Sequence, residues 1–375
     1  MRTPPLILVV EDNPASLDIM KTRLMANHYE VITAIDGVQG LELAREHLPD
    51  LILMDIMMPK MNGLEVCRHL KRDSSLPFIP VILVTAKADP KDVVAGLEAG
   101  GDEYLTKPVD HGSLVARVKS MLRIKELHDM VLDQSNQMKR QLNTAAKVQA
   151  LFWPTIPVLP DHLNIWAFSE PATYVGGDLY DVIPLPDGSL LTYVADISGK
   201  GVAAALIMAA LSTMIRAEAA MHSDITHLMQ VVNESMYNLS ADEGYFATII
   251  CGRLWPENGR LQMIRAGHPT PLWIVKGEIA DLPWMEGIPL GILEKVSYET
   301  CTITLSEGDS CLLYSDGVIE AVNKSLDMFG NKNLVESIRN QNGPPWGQGV
   351  VKAVDRWREN AEGNDDLTVL EIWHG

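Results

Sequence analysis

Residues 194–212, VADISGKGVAAALIMAALS, pass from an apolar run to an aspartate, then through a Gly-Lys-Gly turn into a run of small apolar residues. Two ligands could explain that order: a nucleotide phosphate in the turn, or something held by the aspartate. A phosphate loop of the Walker type needs a glycine five residues before the Gly-Lys pair and a Ser or Thr after it. Those positions are Val194 and Gly201, so the nucleotide reading fails. Asp196 is the residue to explain.

Around it, residues 160–375 alternate short apolar runs with turn residues. Strands are expected at 163–169, 189–195, 245–254, 260–266, 271–275, 299–304, 309–314 and 367–373, with helices near 201–221, 224–239, 316–322, 331–340 and 347–361. Strands grouped with helices outside them predict an α+β sandwich. Four acidic motifs sit at strand ends: GGDLYD (176–181), ADISGKG (195–201), YSDGVIEA (314–321) and GNDDLTVL (363–370). Each alone is ordinary turn chemistry. Together they place carboxylates repeatedly where apolar strands meet loops. No GxSxG elbow and no Cys-His pair of persuasive spacing accompanies them. Clustered aspartates without His or Cys point to Mg²⁺ or Mn²⁺ with oxygen ligands. Two such ions on shared aspartates would activate water and neutralise phosphate, which is metal-assisted phosphoester hydrolysis. Asp196 then reads as a metal ligand, with Gly199 and Gly201 letting the backbone turn tightly beside it.

From AAKVQALFWP to the C-terminus, through VGGDLYDV, ADISGKGVAAALIMA, YFATII, RAGHPTPLWI, GIPLGI, YSDGVIEA and NDDLTVLEI, the chain resembles the SpoIIE-type branch of the metal-dependent protein phosphatase 2C superfamily. The resemblance implies an α-β-β-α sandwich holding two Mn²⁺ or Mg²⁺ ions. It makes Asp178, Asp196, Asp316 and Asp365 the metal-binding aspartates, Asp366 a support for that shell, Ile197 a carbonyl donor and Gly177 a neighbour of the metals. His268 in AGHPTP invites a general-acid role, although a histidine that structures a turn between strands is the preferred expectation. The first motif offers no arginine for the substrate phosphate.

Residues 1–121 have a different rhythm. Apolar runs at 6–10, 29–34, 50–55, 80–85 and 103–106 are each followed by a helical pattern, opened by Pro14, Gly37, Gly63, Pro90 and Asp110. That repeat predicts an α/β doubly wound fold with a five-stranded parallel sheet, whose ligands bind outside the carboxyl ends of the strands. Those ends carry Glu11 and Asp12, Asp55, Thr85, and Lys107-Pro108. Three converging carboxylates call for a hard divalent cation. The lysine and hydroxyl could hold a phosphoryl group placed on a carboxylate. In VVEDN, LILMDIMMPKMNGLE, VTA and GGDEYLTKP, residues 5–122 resemble the receiver domain of two-component response regulators. The resemblance implies Asp55 as phosphoacceptor, Glu11 and Asp12 as the pocket for Mg²⁺, and a Met57 carbonyl on the metal. It also implies Thr85 and Lys107 on the phosphoryl group, Tyr104 as the aromatic switch, and a sensor histidine kinase as partner.

Between the two, residues 122–152 lack Gly and Pro, and Ile124, Leu127, Val131, Met138, Ala145, Val148 and Phe152 recur at 3-4 spacing. Gln134 and Gln141 occupy the vacant positions. The last receiver helix is expected to run on as a long helix, either pairing with a second copy as a coiled coil or packing on its own C-terminal domain. The expected domains are therefore 1–121, 122–152 and 153–375.

Net charge −18 over 375 residues argues against nucleic-acid and anionic-membrane partners. Cys67, Cys251, Cys301 and Cys311 form no CxxC pair and read as buried thiols. The apolar run near the N-terminus is too short for a signal segment, so a cytoplasmic protein is expected. The leading functional expectation is a phosphorylation-controlled protein serine/threonine phosphatase. The family resemblance implies a phosphorylated anti-sigma-factor antagonist with a STAS fold as its substrate. The alternative is a non-enzymatic adaptor that binds a sigma factor or other regulator; intact aspartates distinguish the two. A DNA-binding regulator lacks its basic helix-turn-helix here.

Overall fold

In the computed structural model the described residues are 2–86, 90–222, 224–240, 243–283, 286–359 and 363–375, with backbone alone at 90–93. The chain divides into two compact units, Met1–Lys139 and Arg140–Gly375.

The first unit contains β1 (Leu6–Val10), α1 (Pro14–Met25), β2 (Glu30–Ala34), α2 (Gly37–His47), β3 (Leu51–Asp55), α3 (Gly63–Arg72), β4 (Val81–Thr85), α4 (Pro90–Glu98) and β5 (Glu103–Thr106). Then α5 (His111–Gln149) begins here and crosses the boundary between the units as one helix. All strand pairs are parallel, in the order β2-β1-β3-β4-β5. The strands read as unbroken apolar runs because helices cover both sheet faces. Alternate residues serve two cores: Ile7, Val9, Leu51 and Leu53 face Met20, Leu24, Leu114 and Val118, while Leu8, Val10, Ile52 and Met54 face Ala44, Val66, Cys67 and Leu70. Helix starts are fixed locally. Asn13 caps α1 through the amides of Ala15 and Ser16, and Asn62 and Glu65 form a reciprocal capping box on α3. Strand order reverses between β1 and β3, and Glu11, Asp12 and Asp55 lie at that switch point.

The second unit contains β6 (Leu163–Glu170), β7 (Leu179–Pro184), β8 (Leu190–Ile197), α6 (Gly201–Ala219), α7 (Ile225–Ser240), β9 (Ala247–Trp255), β10 (Arg260–Ala266), β11 (Leu272–Val275), β12 (Glu278–Ala280), β13 (Cys301–Thr304), β14 (Ser310–Tyr314), α8 (Gly330–Arg339), α9 (Trp346–Arg358) and β15 (Leu367–His374). Two antiparallel sheets form, β13-β10-β9-β8-β7 and β12-β11-β14-β15-β6. One core lies between α6/α7 and the first sheet, a second between the sheets, and a third between the second sheet and α8/α9. These are the four layers of an α-β-β-α sandwich. The helix α6 is long and apolar enough to cross a membrane, yet Ala204, Met208, Leu211, Ile215 and Ala219 bury one face of it in the first core.

Two local differences from the sequence reading bear on the site. β7 is an additional edge strand, its buried Asp181 held by Arg216 at 2.8 Å. The helix expected at 316–322 is only a 3-10 turn, Asp316–Val318. The carbonyls of Ile319 and Ala321 accept from Gly330 and Phe329, so they are not available to extend a helix. Gly317 packs so tightly on the Asp366 backbone that an added Cβ would lie 1.8 Å from its carbonyl oxygen.

Candidate functional sites

At the switch point of the parallel sheet, Glu11 and Asp55 are buried and Asp12 is exposed. Oxygen atoms of the three lie within 4.8 Å of one another. Lys107 Nζ reaches Glu11 Oε2 at 2.7 Å and Asp55 Oδ2 at 2.9 Å. Burial pushes the Glu11 carboxyl above its usual range; the Lys107 hydrogen bond opposes this and the Asp55 charge adds to it. For Lys107, burial acts downward but bonds to Glu11 and Asp55 outweigh it, holding the ammonium charged. One ammonium against three carboxylates leaves an acidic, oxygen-lined pocket that suits a hard divalent cation. The Met57 amide donates to Asp55 Oδ1 at 3.4 Å, placing residue 57 beside the pocket. Thr85 ends β4, buried, and with Tyr104 lines a residual cavity of only about 10 Å³. The half-buried Tyr104 ring lies 5.5 Å from the Arg117 guanidinium, which is paired with Glu103. An inward swing of that ring therefore requires Thr85 or its neighbours to shift.

The second site is built by register. Leu179 pairs with Ala195, so Asp178 and Asp196, one step further along each strand, stand opposite each other at the end of β7 and β8. The other sheet contributes Asp316, just after β14, and Asp365 and Asp366, just before β15. Burial raises the Asp178 carboxyl well above its usual range, the Asp196 charge adds to this, and the hydroxyls of Ser315 and Thr368 oppose it. Burial and the charges of Asp316, Asp365 and Asp366 push Asp196 up to about 8. Burial, Glu320 and Asp365 likewise raise Asp316. Asp196 thus interacts with every other aspartate of the set. Asp178 Oδ2 is buried with no hydrogen-bond partner. An orphaned carboxylate oxygen among like charges is costly unless a cation joins it, and an all-oxygen donor set fits Mg²⁺ or Mn²⁺. The spacing is wider than in the first unit: among the described residues, only Glu11, Asp12 and Asp55 bring three such oxygens within 4.8 Å.

Neighbouring groups shape the acidic cluster. An added Cβ on Gly177 would come 3.1 Å from the Ile197 carbonyl and 3.2 Å from the Ala204 Cβ, so the loop lies in tight contact with β8 and α6 here. Asp366 turns toward the 172–178 loop, accepting from Ala172 N at 2.8 Å, Gly177 N at 2.6 Å and Asp178 N at 3.3 Å. In the Gly-Lys-Gly turn, Gly199 and Gly201 have φ of 93° and 74°, and Lys200 Nζ lies 2.9 Å from Asp365 Oδ2. The turn thus presents its lysine to a carboxylate. Sequence reasoning missed Lys200 because rejecting the nucleotide loop left its charge without a role. Cavities of about 890 Å³, bordered by Tyr174, Val202, Arg358 and Asp365, and about 560 Å³, bordered by Arg265, His268 and Asp316, flank the cluster. His268 is buried, bonded through Nδ1 to Thr248 Oγ1 at 2.8 Å, and burial lowers its pKa to about 3. It stays neutral near pH 7, which suits a turn-structuring histidine and not a general acid.

Two family models match the two units in turn. The receiver domain of response regulators matches residues 7–119, and Stage II sporulation protein E (SpoIIE) matches residues 186–374, just over half of the chain. The molecule is a response regulator receiver domain joined by a long helix to a SpoIIE domain with a phosphatase 2C-like fold. The chain belongs to the SpoIIE family. The SiaA-PP2C domain of Pseudomonas aeruginosa shares the fold, with a TM-score of 0.54 and 19% identity over 64% of this chain and 99% of that one. Response regulator PleD of Caulobacter vibrioides is 46% identical over 131 residues, 35% of this chain and 28% of PleD. The DNA-binding dual master transcriptional regulator RpaA of Synechocystis is 42% identical over 119 residues, 32% of this chain and 49% of RpaA. The chain thus spans half or less of the length of these two relatives.

Proposed function

We propose that the chain is a metal-dependent protein serine/threonine phosphatase whose activity is set by phosphorylation of Asp55. The observation that carries this reading is the convergence of Asp178, Asp196, Asp316 and Asp365 from two sheets, with the buried Asp178 Oδ2 unpartnered. When bound there, two Mn²⁺ or Mg²⁺ ions would supply an activated water and positive charge for the phosphoryl oxygens. The chain's own residues arrange the rest. Asp196 interacts with the other carboxylates, Gly177 packs closely on the Ile197 carbonyl, Asp366 braces the loop bearing Asp178, and Lys200 holds Asp365. The proposed substrate is a phosphoserine anti-sigma-factor antagonist of the STAS class, on family resemblance. A test incubates such a phosphoprotein with the full chain and Mn²⁺. Hydrolysis that EDTA abolishes supports the enzyme; stable binding without turnover under every metal condition favours the adaptor.

In the receiver, a histidine kinase is the proposed phosphodonor, with Mg²⁺ on Glu11, Asp12, Asp55 and the Met57 carbonyl, and with Lys107 and Thr85 on the phosphoryl group. Beryllofluoride is expected to bind at Asp55 only with Mg²⁺ present, and Asp55→Ala to abolish this, as read by ¹⁹F NMR. An unchanged signal in Asp55→Ala, or acetyl-phosphate labelling that maps to Asp12, contradicts the assignment.

The helix α5 favours a homodimer as the quaternary reading. Ile124, Leu127, Val131, Met138 and Val148 lie at seam spacing and are exposed in the single chain. Combining Val131→Asp with Met138→Asp is expected to halve the mass seen by light scattering and to fix hydrolysis at one level with or without beryllofluoride. A double variant that remains dimeric and regulated removes the seam from the mechanism.

A further inference from the structure

The last residue of α5 is Gln149, buried while Lys147, Val148 and Ala150 around it are exposed. Its Nε2 donates to the Gly176 carbonyl at 2.6 Å, and its Oε1 accepts from the Gly176 amide at 3.2 Å. One side chain thereby satisfies both backbone groups of a residue two positions before Asp178. On the other side of the same loop, Asp366 Oδ2 accepts from Gly177 N and Asp178 N, and an added Cβ on Gly176 would fall 2.5 Å from that oxygen. The backbone leading into Asp178 is gripped between Gln149 and Asp366. Leu142, two turns earlier on the same helix, borders the 890 Å³ cavity beside Asp365. At its other end α5 starts at His111, four residues after the Lys107 that bonds Asp55.

We propose that Gln149 is a positioning residue: it fastens the end of α5 to the Gly176–Asp178 loop, so that the set of the helix determines where the Asp178 carboxylate stands. This rests on the metal-dependent phosphatase reading above. Glutamine is the side chain that fits, because the pair needs one donor and one acceptor at the end of a two-methylene stem. Glutamate has no donor and would set an anion against the Gly176 carbonyl. A shift or rotation of α5 must carry the loop with it or break both bonds, which gives the helix purchase on the metal site. Groups that orient a ligand are worth roughly 10–100-fold in metal affinity.

The test uses the full chain with Gln149→Glu and Gln149→Met, and Asn143→Ala, exposed on the same helix and outside the seam, as the control. Mn²⁺ affinity by titration calorimetry is expected to fall about 10-fold or more in both Gln149 variants and to stay unchanged in the control. Turnover should recover at saturating Mn²⁺, which separates positioning from general damage, and beryllofluoride binding at Asp55 should be unaffected. In the wild-type chain, hydrogen exchange should find the Gly176 amide protected, a measurement that needs no variant to fold. Wild-type Mn²⁺ affinity in both variants, turnover that stays low at saturating Mn²⁺, or an unprotected Gly176 amide in the wild type overturns the proposal while leaving the phosphatase standing. A wild-type chain that binds no Mn²⁺ overturns both.

Discussion

Asp196→Asn in the full chain is expected to lower phosphoserine hydrolysis by more than about 100-fold, beyond what is typical when only a supporting residue is lost. Asparagine keeps the shape of the side chain and one carbonyl oxygen, but removes the charge that interacts with Asp178, Asp316 and Asp365. Fewer negative oxygens bind a hard cation less tightly and leave its water less acidic. Asp365→Asn should also be severe, because it removes a carboxylate and leaves Lys200 facing an amide. Hydrolysis of a phosphoserine protein, followed by phosphate release over a Mn²⁺ titration, measures both. Turnover in Asp196→Asn within a few-fold of wild type would remove this aspartate from the chemistry.

Legibility of the sequence followed the physics of each element. The parallel sheet was readable almost to the residue. Strands covered on both faces appear as unbroken apolar runs, and Pro14, Gly37, Gly63 and Pro90 open the helices where expected. Its site was readable for the same reason, since parallel strands bring their carboxyl ends to one edge. In the sandwich, the aspartates were visible as strand-end motifs, but the strand presenting Asp178 was not. β7 carries Asp181 and Pro184 at the sheet edge, and the buried Asp181 is held there by Arg216, reaching it from α6, together with the Val182 amide and the Tyr193 hydroxyl. That is a long-range pairing with no local trace. The same holds for Gln149: at the end of a polar helix it looks like any solvated glutamine, and only the fold brings Gly176 to it. For His268, the burial that lowers its pKa to about 3 suits the preferred turn-structuring role, and no motif displays that burial.

The metal-free chain is expected to lose stability as pH rises from about 5 to 8.5, opposite to the usual behaviour of carboxylates held by cationic partners. Asp178, Asp196 and Asp316 have folded pKa values raised above the unfolded value of 3.8, that of Asp196 to about 8. Between those limits the folded state keeps protons that the unfolded chain has released, so each rise in pH favours unfolding, and the penalty is complete only above the folded pKa. For Asp196, which is half-buried, a displacement of this size corresponds to several kcal/mol. That is a fall of roughly 10 °C in the melting temperature of the C-terminal unit, at about 2–4 °C per kcal/mol. Burial raises Asp181 and Glu371 in the same unit, so some slope should survive any single substitution. With Mn²⁺ the trend should flatten or reverse, because the metal binds the deprotonated carboxylates and stabilises only the folded state. Asp196→Asn in EDTA should melt higher than wild type at pH 8.5 and almost equally at pH 5, although the same substitution is expected to lower hydrolysis. Calorimetric melts at both pH values, with EDTA and with Mn²⁺, decide the matter. A melting temperature in EDTA that climbs through this window, or an Asp196→Asn variant with the wild-type pH profile, would show that these carboxylates do not share the electrostatic strain on which the proposed metal site rests.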